Sequence, residues 1–180
     1  PKMLIRISNR KILSGFLEAL DLAEISKDIF DVIDHAEKVT AEQTKSALEE
    51  LKIPTDKIAK ILDFIKINGE RETAIAALRA IEIKNDHYEA GLAEIDFVLK
   101  TLEQHGLAGV AIADMLIIRG LDYYTGTVFE TILPEYKGIG SICSGGRYEN
   151  LASNYTDQSF PGVGISIGLT RLFYIQEEWF

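Results

Sequence analysis

Ile118-Arg119-Gly120-Leu121-Asp122-Tyr123-Tyr124-Thr125-Gly126-Thr127-Val128-Phe129-Glu130 sets an arginine, two adjacent phenols and two glycines at the entrance to a strand. The glycines let the backbone turn sharply and approach a ligand closely. Thr127 to Leu133 then reads as a strand, because β-branched and aromatic residues suit a pleated, half-buried surface. A permanently charged guanidinium beside two hydroxyls is the chemistry of a pocket for a small polar ligand.

Two glycine-rich stretches follow. The first is Ser144-Gly145-Gly146-Arg147-Tyr148-Glu149-Asn150-Leu151, read as a strand end running into a turn, where paired glycines expose backbone N–H and C=O groups. The second is Phe160-Pro161-Gly162-Val163-Gly164-Ile165-Ser166-Ile167-Gly168-Leu169-Thr170-Arg171-Leu172. Gly162, Gly164 and Gly168 there alternate with Val163, Ile165 and Ile167, so one face of a strand is stripped of side chains and something flat can lie on it. The pattern is neither a P-loop nor a dinucleotide fingerprint, since the lysine-serine ending and the βαβ setting are absent.

In this order and spacing the three stretches resemble the signatures of class II histidyl-tRNA synthetases, and the resemblance covers nearly all of the chain. It implies an α+β fold, the antiparallel sheet of the class II catalytic core with an inserted helical domain. It also implies ATP-dependent activation of histidine to histidyl-adenylate and transfer to tRNA(His). Arg119 would be the catalytic arginine, bridging the α-phosphate of ATP and the histidine carboxylate. Tyr124 would meet the imidazole, with Tyr123 lining the wall. Gly145 and Gly146 would contact histidine by backbone, Tyr148 would offer its hydroxyl toward the α-amino end, and Arg147 would brace the loop. Gly164 and Gly168 would clear the adenine face, and Arg171 would pack against the base and reach the triphosphate. Thr170 departs from the acidic residue that many relatives carry before that arginine.

The same resemblance implies ATP with Mg2+ as a substrate, no tightly bound cofactor, and a homodimeric intact enzyme. In the family, the dimer-forming motif 1 and the ATP-gripping motif 2 come before the point where this sequence starts, and an anticodon-binding domain follows motif 3. A fragment of the catalytic core, inactive alone, is therefore expected. The alternative is a synthetase-like paralogue acting as a regulatory histidine sensor in histidine biosynthesis. The full run from Arg119 to Tyr124 together with Arg171 favours the enzyme, since a sensor has no need of ATP-handling arginines. Composition alone would also permit a helical interaction module on a sheet scaffold.

With 47% apolar residues in 180, the chain can bury a real core. No run approaches the 18 or so uninterrupted apolar residues of a membrane span, and the start lacks a signal peptide's apolar region, so a cytoplasmic protein is expected. The single Cys143 excludes an internal disulfide, and His35, His87 and His105 have no metal-ligand spacing.

Met3 to Ser8 alternates as a short strand, and Asn9 can cap a helix with the stripe Leu13, Phe16, Leu17 and Leu20. From Asp21 to about His105 helix signals dominate. Thr40 with Gln43 makes a capping box, and Thr55 can cap a helix carrying Ile58, Ile61, Leu62 and Ile65. Asn68-Gly69 would close that helix. Tyr88, Leu92, Ile95, Leu99 and Leu102 mark a last long helix. Short strands are expected afterwards at Val110 to Ile118, Thr127 to Leu133, Ile139 to Cys143 and Gly164 to Ile167, with antiparallel neighbours. Residues 1–20 and 106–180 would thus form the sheet-bearing core, and 21–105 the helical insertion domain, a separate unit.

Charge divides at the same boundary. Residues 21–105 hold 19 acidic and 11 basic side chains, net −8 of the chain's −9. An acidic chain is a poor general nucleic-acid binder, so any tRNA contact must be local. Lys52, Lys57, Lys60 and Lys66 are the basic cluster that could face an acceptor stem, although interspersed Lys and Asp also make an ordinary solvated helix face.

Overall fold

Asn9 accepts the backbone N–H of Lys11 through its side chain and so starts the helix that the Leu13, Phe16, Leu17, Leu20 stripe announces. The computed structural model describes residues 2–117, 124–151 and 155–177. Strand β1 (Leu4–Asn9) leads into α1 (Arg10–Ala19), and then come α2 (Ser26–His35), α3 (Ala41–Glu50) and α4 (Thr55–Phe64). Thr40 and Gln43 close the expected capping box at the start of α3. Pro54, not Thr55, occupies the cap of α4, and Thr55 is its first helical residue. Proline's fixed backbone torsion suits that junction.

Asn68–Gly69 does not end a helix. It forms a two-residue strand, β2, that joins the edge of the sheet. Helices α5 (Arg71–Arg79) and α6 (Asp86–Gln104) follow, then β3 (Ala111–Asp114), β4 (Tyr124–Ile132), β5 (Cys143–Tyr148), β6 (Gly162–Ile167) and α7 (Leu169–Glu177). The strand expected at Ile139 to Cys143 is displaced. Pro134–Ile139 is a 3₁₀ stretch broken at Tyr136, and the strand starts only at Cys143.

The six strands are ordered β2-β3-β1-β4-β5-β6, and every neighbouring pair is antiparallel except β1 with β3. The expected antiparallel sheet thus carries one parallel pair. A parallel pair needs a long crossover, and the helical segment supplies it. The segment is also not packed apart from the sheet. Ile7 of β1, Ile12 and Phe16 of α1, Ile58 and Ile61 of α4, and Ile95 and Leu99 of α6 lie in one buried cluster. The boundaries near residues 20 and 106 mark a change of secondary structure within a continuous core.

Helices α1 and α6 carry the sheet's back face, and they touch backbone to backbone. A Cβ on Gly15 would lie 2.5 Å from the Tyr88 backbone nitrogen, and one on Gly91 would lie 2.7 Å from that of Ile12. Asn85 locks the crossing: its side chain donates to the Gly15 carbonyl and accepts from the Tyr88 N–H. Gly91→Ala should therefore cost about 2 kcal/mol in chemical denaturation, because overpacking against backbone outweighs alanine's gain in helix propensity. Adding Gly15→Ala should cost less than it does alone, since the first change has already parted the helices. Full additivity would mean that the two glycines do not share one contact.

Tyr88, buried at the start of α6, donates its hydroxyl to the Leu78 carbonyl. Burial, and then the charge of Glu89, pushes its phenol's pKa up. The unfolded chain therefore releases this proton at a lower pH than the folded one. The contribution of Tyr88 is complete below about pH 10 and is lost progressively as pH rises above the unfolded phenol's range toward the higher one of the folded phenol. Tyr88→Phe should lower stability at pH 7 by about 1 kcal/mol and flatten its decline above pH 10, read by denaturation at both pH values.

Candidate functional site

The pairing register sorts the strands' side chains into two faces, because directly opposed residues share a face. One face carries Arg6, Ser8, Val128, Glu130, Ser144, Gly146, Tyr148, Gly162 and Gly164, with Tyr124 opposite Tyr148. Of the residues singled out from sequence, this front face holds Tyr124, Gly146, Tyr148 and Gly164. The back face carries Phe129, Gly145, Arg147, Val163, Ile165 and Ile167. Helices α1 and α6 cover its β1 and β4 half, while Val163, Ile165 and Ile167 stay exposed among the described residues.

Gly145 and Gly146 lie inside β5, not in a turn, and their strand pairs on both sides. Their backbone groups are therefore committed to the sheet ladder, and what they offer is the lack of a side chain. A Cβ on Gly146 would sit 2.9 Å from a ring carbon of Tyr124, so glycine leaves the room that ring needs beside β5. A Cβ on Gly145 would point to the back and meet the Gly164 carbonyl at 2.1 Å and the Phe129 ring. Only Gly146 of the pair faces the two tyrosines.

The stripped face of β6 is partly filled by the protein itself. The Tyr148 ring lies over Gly162, where a Cβ would come within 2.6 Å of its hydroxyl. At Gly164 the ring is farther away, with its nearest atom 3.6 Å from where a Cβ would be, so the floor there is more open. Gly168 donates its N–H to the Ile142 carbonyl, and Arg171, in the first turn of α7, donates to the Ser141 carbonyl. The guanidinium of Arg171 is thereby anchored at the end of β6 beyond Gly164. Arg119 and Tyr123 lie outside the described residues.

Sequence reading missed a charge cluster on the same face. Arg6 is buried, with its Nε 2.8 Å from Asp114, one terminal nitrogen 2.7 Å from Glu130 and the other 2.5 Å from Glu37. Burial opposes the charge of Arg6, but Glu37 and Asp114 outweigh it and hold the guanidinium's pKa well above its usual value. The partners are 108 and 124 residues away for Asp114 and Glu130, so no local pattern could have joined them. An open cleft of about 410 Å³, lined by Arg6, Glu37, Glu130, Tyr136 and Ser141 among others, lies along this cluster.

The four lysines of the helical segment differ in their surroundings. Lys57 donates to the Leu20 carbonyl at the end of α1, and Lys66 bonds Asp63. Lys52 ends α3 in a left-handed conformation and is exposed, while Lys60 borders a largely apolar cleft beside Phe16 and Phe64. Among the described residues no group of three or more His, Cys, Asp and Glu is arranged to hold a metal, and no helix is long and apolar enough to cross a membrane.

The family model described as Histidyl-tRNA synthetase matches residues 1–172. The chain is 47% identical over 175 residues to a Histidine--tRNA ligase of Clostridium tetani, covering 97% of this chain and 40% of that relative. The crystal structure of histidyl-tRNA synthetase from Nostoc sp. PCC 7120 superposes with a TM-score of 0.92 at 38% identity, over 98% of this chain and 42% of that one. A Bacillus halodurans structure described as an ATP phosphoribosyltransferase regulatory subunit/histidyl-tRNA synthetase shares the fold, with a TM-score of 0.77 at 20% identity over 93% of this chain and 42% of its own.

Proposed function

The chain belongs to the histidyl-tRNA synthetase family, and from that membership we propose that it forms part of the catalytic core of a histidine–tRNA ligase. The chain spans about 40% of its relatives' length, and the activity proposed is that of the whole ligase. In the proposed reaction a carboxylate oxygen of histidine attacks the α-phosphorus of ATP, which enters with Mg2+, and pyrophosphate leaves. The adenylate then passes its histidyl group to tRNA(His).

The observation that carries this proposal is the front face itself. Tyr124 and Tyr148 stand opposite each other, Gly146 makes room for the Tyr124 ring, the floor is open at Gly164, and Arg171 is anchored at the end of β6. A neutral imidazole has one donor and one acceptor nitrogen, and a phenol can serve either. Tyr124 accordingly reads the imidazole, with Tyr123 lining the wall and Tyr148 toward the α-amino group. The Gly164 to Gly168 stretch takes adenine, and Arg171 the base and triphosphate. Arg119 binds α-phosphate and carboxylate together, because a planar guanidinium donates to both.

We assign residues 21–105 to the insertion domain of the family, with Lys52 and Lys60 its best-placed contacts for the acceptor stem. Homodimer formation by the intact ligase is part of the same proposal. The histidine-sensor alternative draws on a likeness of fold alone.

Calorimetric titration of the chain with histidine tests the assignment. Tyr124→Phe should weaken binding by about tenfold, the worth of one hydrogen bond to ligand. Equal affinity in the two proteins would remove Tyr124 from the histidine site.

A further inference from the structure

On the back of the sheet, beside the first half of β4, a single carboxylate from the helical segment gathers several parts of the molecule. Glu94 of α6 accepts from Asn9 Nδ2 at 2.8 Å and from Lys11 Nζ at 2.6 Å. Asn9 is almost wholly buried, and its second amide hydrogen goes to Thr127 Oγ1 at 3.2 Å. Through Asn9, Glu94 is linked to Thr127 of β4. A Cβ on Gly126 would fall 3.3 Å from Glu94 Oε2 and 3.1 Å from the Arg147 side chain, so these two side chains close the space beside that glycine.

This is where β4 is irregular. Its register with β5 slips between Tyr124 and Val128, so that residues 125 to 127 stand opposite the single residue Arg147. A bulge of this kind bends its strand and re-aims the neighbouring side chain. Thr125, within it, has a buried hydroxyl with no hydrogen-bond partner among the described residues, so the bulge is not held from that side chain. From behind, a hydrogen-bonded chain runs from Glu94 through Asn9 to Thr127.

We propose that Glu94 is a positioning residue: from the last helix of the inserted segment it fixes the β4 bulge and so sets the direction of Tyr124 on the opposite face. The functional part rests on the assignment of Tyr124 to histidine. The geometric part does not. Through this contact, a shift of α6 would reach the substrate face without any residue of the segment touching substrate.

The test uses the full chain with 3-fluorotyrosine at position 124, observed by fluorine NMR, beside calorimetric titration with histidine. Glu94→Gln keeps the side chain's size but offers one acceptor where two donors converge. It should move or broaden the Tyr124 signal and weaken histidine binding about tenfold, the cost of one misplaced hydrogen bond. The weakening should vanish when Tyr124→Phe is already present. Lys11→Met breaks the other contact of Glu94 and should leave the Tyr124 signal in place. An unmoved signal in Glu94→Gln would overturn the proposal, as would an equal loss of affinity with and without Tyr124→Phe. A moved signal in a chain that does not bind histidine would uphold the geometric role and reject the histidine assignment instead.

Discussion

Arg6→Leu is expected to cost the folded chain about 3–5 kcal/mol, the loss seen when one partner is removed from a buried charge cluster. The arginine holds Asp114 from β3, Glu130 from β4 and Glu37 from the turn after α2. Without it, carboxylates inside the fold lose their compensating charge. Arg6→Lys should recover only part of the loss, since one ammonium cannot span three partners that the guanidinium meets with separate nitrogens. Replacing Glu130 as well, in Arg6→Leu/Glu130→Leu, should be less costly than Arg6→Leu alone, because it removes one stranded charge. Denaturant titration of the four proteins decides the matter. A loss below about 1 kcal/mol for Arg6→Leu would place the cluster with ordinary surface pairs.

In the intact ligase proposed above, Arg119→Ala should slow single-turnover formation of histidyl-adenylate by about 100- to 1000-fold, the loss typical of one preorganised donor. Negative oxygens gather as the carboxylate meets the α-phosphate, and a fixed guanidinium offsets them. Histidine binding should weaken far less. Arg119→Lys should restore part of the rate, since it keeps the charge but loses the planar fork. Adenylation measured beside equilibrium histidine binding separates the two effects. If the single-turnover rate held and only the histidine dissociation constant rose, Arg119 would be a substrate anchor.

Features coded within a few residues were legible before the fold was known. The Asn9 cap, the Thr40 and Gln43 box and the stripe of α6 each depend on neighbours at most a few positions away. The errors fall where a partner strand decides. Ser144 to Tyr148 looks like a turn because its glycines weaken strand propensity, yet they sit in a strand because Tyr124, Phe129 and the Gly164 carbonyl occupy the space their side chains would need. Asn68-Gly69 reads as a helix stop for the same reason, since only β3 makes it a strand. Gly15 and Gly91 are single glycines in helices, and nothing local says that they meet. On the front face, Tyr124, Gly146, Tyr148 and Gly164 were named from sequence alone, as was Arg171 at the end of β6. Arg6 and Glu94 were not, because their roles depend on residues far along the chain.

The parallel pairing of β1 with β3 has a consequence for how the chain folds as it is made. Ile5 waits for Ala111, and for Thr131 on its other side. At roughly 5–20 residues per second, a ribosome needs about 5–20 seconds to cover that gap. For that time β1 has no partner strand, while α1 to α5 can already begin to bury their own stripes. Contacts of such long sequence separation slow folding and leave apolar edges open to association. Both strands that flank β1 are therefore made only after α1 to α5, so β1 stays open at both edges until β3 emerges.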